Sequence, residues 1–294
     1  MVCNAPASAS NIAAPVVLWK GPTPSGAGRE DASVTETTEQ PGRLQRFNEK
    51  FLVEERVVPA SAKRNLYIVA ILLIVAGLTA FFFILDSVLE ADDISAVDAP
   101  VEQWLETGQS DWLTAVMTVI AFVFGPIVMP IIILVTIVTW SLVAKHAWRP
   151  LLLAGGMLLG LVIVQVLAPV IARERPPIGD MMLEIDHTSS FPSGHVMGVA
   201  DFLFITTYLV FSRHRRPVVT VLAFVVASGI VLLTAACRIY LGYHWATDAL
   251  ASIALSLVVL GIVIAVDTWR TVRVGTPSEV DASEATREED GSVE

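Results

Sequence analysis

Three short stretches of this chain hold residues suited to moving a phosphoryl group. The first is Arg173-Glu174-Arg175-Pro176-Pro177, the second Pro192-Ser193-Gly194-His195, and the third runs from Arg238 through His244 to Asp248. A phosphoryl group in transfer spreads negative charge over its equatorial oxygens, and arginine forks match those oxygens in a bidentate way. Ser193 and Gly194 open a helix, whose free N–H groups and dipole favour an anion. A histidine titrating near neutral pH can attack phosphorus while a second protonates the leaving oxygen, and His195 and His244 are available for the two tasks. Asp248 follows His244 by one helical turn and shares its face, so its carboxylate can hold the far ring nitrogen and fix the tautomer. No acidic cluster with metal-ligand spacing accompanies these residues, so the chemistry reads as free of metal and cofactor.

Each stretch taken alone has a plainer reading. Pro-Ser-Gly-His is usually an ordinary helix cap, and arginines at the end of a span usually anchor it in head groups. His244 with Asp248 could be a structural pair. Tyr240, Tyr243 and Trp245 suit an aromatic belt at the membrane surface. Asp201, inside an apolar segment, suits a buried polar partner. What separates the stretches from these readings is their convergence on one membrane face.

That convergence depends on the elements between them. The 294 residues are 54% hydrophobic and only 16% charged, well below the roughly 25% charged of soluble domains. Apolar runs at Asn65–Leu89, Pro126–Ala144, Pro150–Ile171, Val196–Phe211, Val218–Ala236 and Asp248–Val266 approach the roughly 20 residues that cross a bilayer as a helix. Ala99–Phe124 carries tryptophans and aliphatics at helical spacing, as interfacial helices do, and Gly125-Pro126 then breaks the chain. The expected fold is an all-α polytopic bundle of six transmembrane helices, with interfacial helices between the first and second spans. Residues 1–60 and 271–294 read as flexible tails, the second acidic, flanking a membrane domain over 61–270. Nothing before Val16 resembles a signal peptide.

Lysine and arginine set the orientation. Lys50, Arg56, Lys63, Arg64, Lys145, Arg149, Arg213, Arg215, Arg216, Arg270 and Arg273 all fall on one side of a six-span chain. That side is expected to be cytoplasmic and to hold both termini. The other side carries the acidic loop Asp86–Asp111, which includes Asp98, and only Arg173, Arg175 and Arg238 among the cations. The formal net charge of -10 leaves no basic patch for a nucleic acid. Cys3 and Cys237 are too few and too far apart for a disulfide or zinc framework.

Arg175-Pro176, Pro192-Ser193-Gly194-His195 and Arg238…His244…Asp248 resemble the three signature motifs of the type 2 phosphatidic acid phosphatase superfamily, in its membrane lipid phosphatase branch. The resemblance covers roughly Asn65 to Val266. It implies a metal-independent membrane phosphatase working through a phosphohistidine, with His244 as nucleophile, Asp248 as its orienting partner and His195 as the acid for the leaving group. Arg175, Ser193, Gly194 and Arg238 would bind the phosphate. Bacterial members commonly act on undecaprenyl diphosphate, phosphatidic acid or phosphatidylglycerol phosphate. The expected setting is therefore a bacterial cytoplasmic membrane with the site facing outward, and a homo-oligomer is compatible with it. Two positions depart from the motifs: Ala168 stands where a lysine is usual, and Cys237 where a serine is. Arg173 is expected to replace the missing cation in part. The alternatives are a phosphatase-like lipid-binding or transport protein, which Ala168 favours, and a phosphotransferase with a lipid or sugar acceptor.

Overall fold

The structure, a computed structural model, describes residues 55–90, 93–144, 146–183, 185–212, 217–280 and 282. The expected tails up to Glu54 and beyond Ala282, with Lys50, Lys145, Arg213, Arg215 and Arg216, lie outside these residues. Among the described residues eight α-helices follow one another: α1 (Ala60–Glu90), α2 (Asp98–Thr107), α3 (Asp111–Val123), α4 (Val128–Val143), α5 (Trp148–Ile171), α6 (Gly194–Phe211), α7 (Pro217–Tyr240) and α8 (Ala246–Thr271).

Five of them, α1, α5, α6, α7 and α8, are long and apolar enough to cross a membrane. Their outward faces carry large apolar side chains such as Phe82, Phe83, Leu158, Val170 and Val221. Such exposure is disfavoured in water and favoured in lipid. The core lies instead around α6 and α8, the two most buried spans, whose polar residues turn inward. Asp201 of α6 is buried there as expected, against Gly160 of α5. The α1–α8 pair approaches closely because Gly77 has no side chain; a Cβ there would stand 2.5 Å from the Ala254 carbonyl oxygen.

The second expected span takes a different form. Its 16-residue α4 rises only about 24 Å, short of a roughly 30 Å hydrocarbon core. α3 and α4 together are apolar enough to cross, but they are bent by 47° at the break between them. The cause is Gly125-Pro126: Pro126 has no N–H to continue the ladder, and Gly125 N–H turns back to the Phe122 carbonyl at 3.2 Å. Trp112–Phe124 therefore belongs with α4, as one broken span or a re-entrant pair, and α2 is the helix left between spans. The bundle has five spans, or six with the bent pair counted as one.

The described margins of the two expected tails are paired with each other. β1 (Arg56–Val58) runs parallel to β2 (Val272–Val274) with Arg56 opposite Val272. Lys63 Nζ donates to the Val272 carbonyl at 3.1 Å, and Arg56 lies 3.6 Å from buried Asp267. Tyr208 Oη and Trp148 Nε1 donate to the same Asp267 carboxylate, at 2.8 and 3.0 Å. The chain entering α1 is thereby fastened to the chain leaving α8. The opposite end of the bundle collects the end of α5, the start of α6, the end of α7 and the start of α8.

Candidate active site

Helix α5 ends where Ala172 adopts a left-handed conformation (φ 49°, ψ 37°). A non-glycine residue there costs about 1–2 kcal/mol, and it turns Arg173 and Arg175 across the mouths of the neighbouring helices. The irregular segment that follows is sewn to the segment leading into α6. Ser190 N–H donates to the Arg173 carbonyl at 2.9 Å, and Ser190 Oγ to the Glu174 carbonyl at 3.1 Å. Ser193 then caps α6, and His195 is its second residue. The third segment is shaped by Gly242, at φ +75°, which carries the chain from α7 back toward α8. A Cβ at Gly242 would collide with the Asp180 carbonyl, so the turn needs glycine twice over.

This folding brings His195, Arg175, Arg238, Ser193 and His244 together. His244 is buried, and its Nδ1 lies 2.8 Å from the Ser190 carbonyl oxygen and 3.5 Å from Asp248 Oδ2. Both neighbours only accept hydrogen bonds, so the assigned tautomer carries its proton on Nδ1 and leaves a lone pair on Nε2. The nearer acceptor is a backbone carbonyl, so Asp248 shares the orienting task. Burial holds the His244 pKa below the ordinary histidine value; Asp248 opposes that shift, and Arg238 and Arg175 add to it. A neutral imidazole at neutral pH is the nucleophilic form.

Arg175 stands beside that lone pair. Its Nη1 is 3.4 Å from His244 Nε2 and donates to the Tyr243 carbonyl at 2.6 Å. Nε donates to the Thr188 carbonyl at 2.9 Å, and Nη2 pairs with Asp186 at 2.8 Å. Asp186 in turn accepts the Thr188 N–H and hydroxyl, at 2.9 and 2.8 Å. Burial raises the Asp186 pKa, but these Thr188 hydrogen bonds and Arg175 outweigh it and hold the carboxyl below its ordinary value. Arg238, 5% exposed, lies over the Tyr243 ring with Cζ 4.4 Å from its centroid. Arg238 Nε and Ser193 Oγ are both buried, yet neither finds a hydrogen-bond partner among the described residues. An oxyanion bound at this end of the bundle would satisfy such donors, since an unpaired buried donor costs about 1–3 kcal/mol. Gly194 is exposed at the rim. His195 is half-buried, within electrostatic reach of Arg238, His244 and Arg175.

Arg173 departs from its expected place. Its Nη2 donates to Asp98 Oδ2 at 2.6 Å, and its Nη1 to Thr247 Oγ1 at 2.7 Å and to Asp248 Oδ1. The left-handed turn at Ala172 points it to the rear of His244. Ala168 stays on the last turn of α5 with no cation beside it on the chain. Tyr240 and Tyr243 are buried rather than belted at the surface. Tyr240 Oη is 2.9 Å from Thr114 Oγ1 of α3.

Span-length apolar helices that gather two arginines and two histidines at one end define a multi-pass membrane protein with a polar cluster at the membrane face. Residues 149–271, a stretch that contains all three motifs, match the model of the PAP2 superfamily. Phosphatidylglycerophosphatase B of Bacillus subtilis (strain 168) is 27% identical over 194 residues, which are 64% of this chain and 91% of that protein. The crystal structure of a transmembrane PAP2-type phosphatidylglycerolphosphate phosphatase from Bacillus subtilis aligns with a TM-score of 0.57 at 25% identity, over 65% of this chain and 96% of its own. Aquifex aeolicus LpxE aligns with a TM-score of 0.45 at 17% identity, over 57% of this chain and 94% of its own. The family and the helical membrane fold expected from the motifs and the apolar runs are borne out.

Proposed function

We propose that the chain is a lipid phosphate phosphatase of a bacterial cytoplasmic membrane, hydrolysing a phosphate monoester or diphosphate at the outer face without a metal. The observation that carries this reading is the lone pair of His244 Nε2 beside Arg175, within a cage whose Arg238 and Ser193 donors are unpaired. The named activity of the Bacillus relatives supports a lipid phosphate as substrate. In the first step His244 Nε2 forms a bond to phosphorus as the P–O bond to the lipid breaks. His195 gives a proton to the departing oxygen. Arg175, Arg238, Ser193 and the Gly194 end of α6 hold the phosphoryl oxygens. In the second step water attacks phosphorus, its proton passes to His195, the P–N bond breaks, and inorganic phosphate leaves.

Purified protein in detergent, with EDTA present, is expected to release phosphate from at least one of phosphatidic acid, phosphatidylglycerol phosphate and undecaprenyl diphosphate. A wild-type chain inert on all three, yet active as Ala168→Lys, would instead be a phosphatase-like lipid binder. Transfer of the phosphoryl group to an added alcohol in preference to water would mark a phosphotransferase.

The outward orientation is tested in intact cells. Gly179→Cys lies on the site's side of the bundle, exposed and with open space around its Cβ. It is expected to react with a membrane-impermeant thiol reagent. Glu279→Cys, exposed beyond α8, is expected to stay unlabelled until the cells are opened. The reverse pattern would turn the site to the cytoplasm.

A further inference from the structure

We propose that Asp98 is a positioning residue for His244, acting through Arg173 and Asp248. The inference rests on the phosphatase reading above and deepens it.

In the sequence Asp98 is one of several acids in a loop between spans. In the structure it is 4% exposed, at the first position of α2. Its carboxylate reaches two other elements. Oδ1 accepts the Thr247 N–H at 2.9 Å. Oδ2 accepts the Thr247 hydroxyl at 2.7 Å and Arg173 Nη2 at 2.6 Å. The Thr247 hydroxyl, while donating to Asp98, also accepts from Arg173 Nη1 at 2.7 Å. Every side of the network is closed, and a buried carboxylate persists only when it is paired and hydrogen-bonded in this way.

The consequence reaches His244 through Asp248. Asp248 Oδ2 accepts the Trp245 N–H at 2.9 Å and lies 3.5 Å from His244 Nδ1, while Oδ1 accepts from Arg173. The position of Arg173 therefore decides the position of Asp248, and Asp98 decides the position of Arg173. Charge works in the same direction. One guanidinium shared by two carboxylates leaves the cluster behind His244 net negative. When Nε2 bonds phosphorus the ring becomes positive, and a negative cluster at Nδ1 favours that state. Without the Asp98 charge, Arg173 would neutralise Asp248, and the phosphorylated ring would lose this support. The effect falls on the transition state and intermediate, while phosphate binding depends on Arg175, Arg238 and Ser193 on the other side of the ring.

The test is Asp98→Asn in purified protein, measured on the best lipid phosphate. The expected result is a fall in kcat of about ten- to a hundredfold, the equivalent of one charge-assisted hydrogen bond. KM and inhibition by inorganic phosphate are expected to stay at the wild-type level. Asp98→Glu should recover part of the loss. A wild-type kcat, or a weakening of phosphate inhibition that matches the fall in kcat, would overturn the proposal. Should Asp98→Asn fail to accumulate, Thr247→Val removes the shared hydroxyl without burying an unpaired charge. It is expected to lower kcat alone and by less, and Asp98→Glu, which keeps the charge, then carries the test: a wild-type kcat in both variants would overturn the proposal. Failure of the phosphatase reading itself shows separately, as wild-type protein inert on every lipid phosphate, and failure of the His244 assignment as turnover that survives His244→Ala.

Discussion

His244→Ala is expected to lower lipid phosphate hydrolysis by about 10⁴-fold or more, the scale of removing a nucleophile that acts as a unit with its partners. The physical ground is the asymmetry of the ring. Nδ1 faces two acceptors, the Ser190 carbonyl at 2.8 Å and Asp248 at 3.5 Å, so the free lone pair is on Nε2, where Arg175 stands 3.4 Å away. Alanine removes the only nitrogen placed in this way among the described residues, and it leaves the rest of the cage in place. Lipid phosphate should therefore still bind, and KM or an equilibrium binding constant should change far less than kcat. Initial rates over a range of substrate check this. Retention of even a hundredth of wild-type kcat would require another attacking group.

His195→Ala is expected to cost about 10²–10⁴-fold on an alkyl phosphate monoester, the range of general acid catalysis. The same substitution should cost far less on an aryl phosphate such as p-nitrophenyl phosphate, whose leaving group departs as a stable anion without a proton. His195 occupies the second position of α6, half-buried and within electrostatic reach of Arg238, His244 and Arg175. This placement beside the two arginines and His244 is the ground for giving it the proton-donating role. Comparing kcat on the two substrates isolates the role. An equal loss on both would mean that His195 binds phosphate or supports the fold instead of donating a proton.

The residues of the cage were legible in the sequence because chemistry restricts their types. Arginine forks, two histidines and an aspartate one turn after the second form a rare combination, and the apolar runs fix which ends of the helices they occupy. The resemblance to one family rested on those residues and was sound. Other features left weaker traces. The nearest partner of His244 Nδ1 is the carbonyl of Ser190, a backbone atom 54 residues away that no side chain announces. Asp98 lies 149 residues from Thr247, and in a run of acids it reads as solvated charge until the fold buries it. Asp186 and Thr188 sit in a loop with no periodicity, so their hold on Arg175 appears only in three dimensions.

Arg173 shows how the geometry of a helix end decides where a side chain goes. On an ideal helix Arg173 lies about half a turn from Arg175, and the expectation that it faces the phosphate rests on Pro176 breaking the helix and swinging it inward. The left-handed turn at Ala172, just past the end of α5, sends the guanidinium to Asp98 and Asp248 instead. The second span takes its form from a similar local feature. Gly125-Pro126 was visible as a break, but hydropathy alone does not say whether the apolar stretch before a break joins the stretch after it. α3 and α4 are apolar enough to cross only when taken together, bent by 47° at that break.

The central claim, hydrolysis through a phosphorylated His244, is tested most directly by trapping the intermediate. Purified protein is mixed with a lipid phosphate carrying a radiolabelled phosphoryl group and quenched within milliseconds into alkali, because phosphohistidine is lost in acid. The labelled peptide is then identified by mass spectrometry. The account predicts label on the ring of His244 in wild type, label that persists longer when His195 is replaced by alanine, and none in His244→Ala. Label on any other residue, or hydrolysis at full rate with no labelled protein at any time, would contradict it.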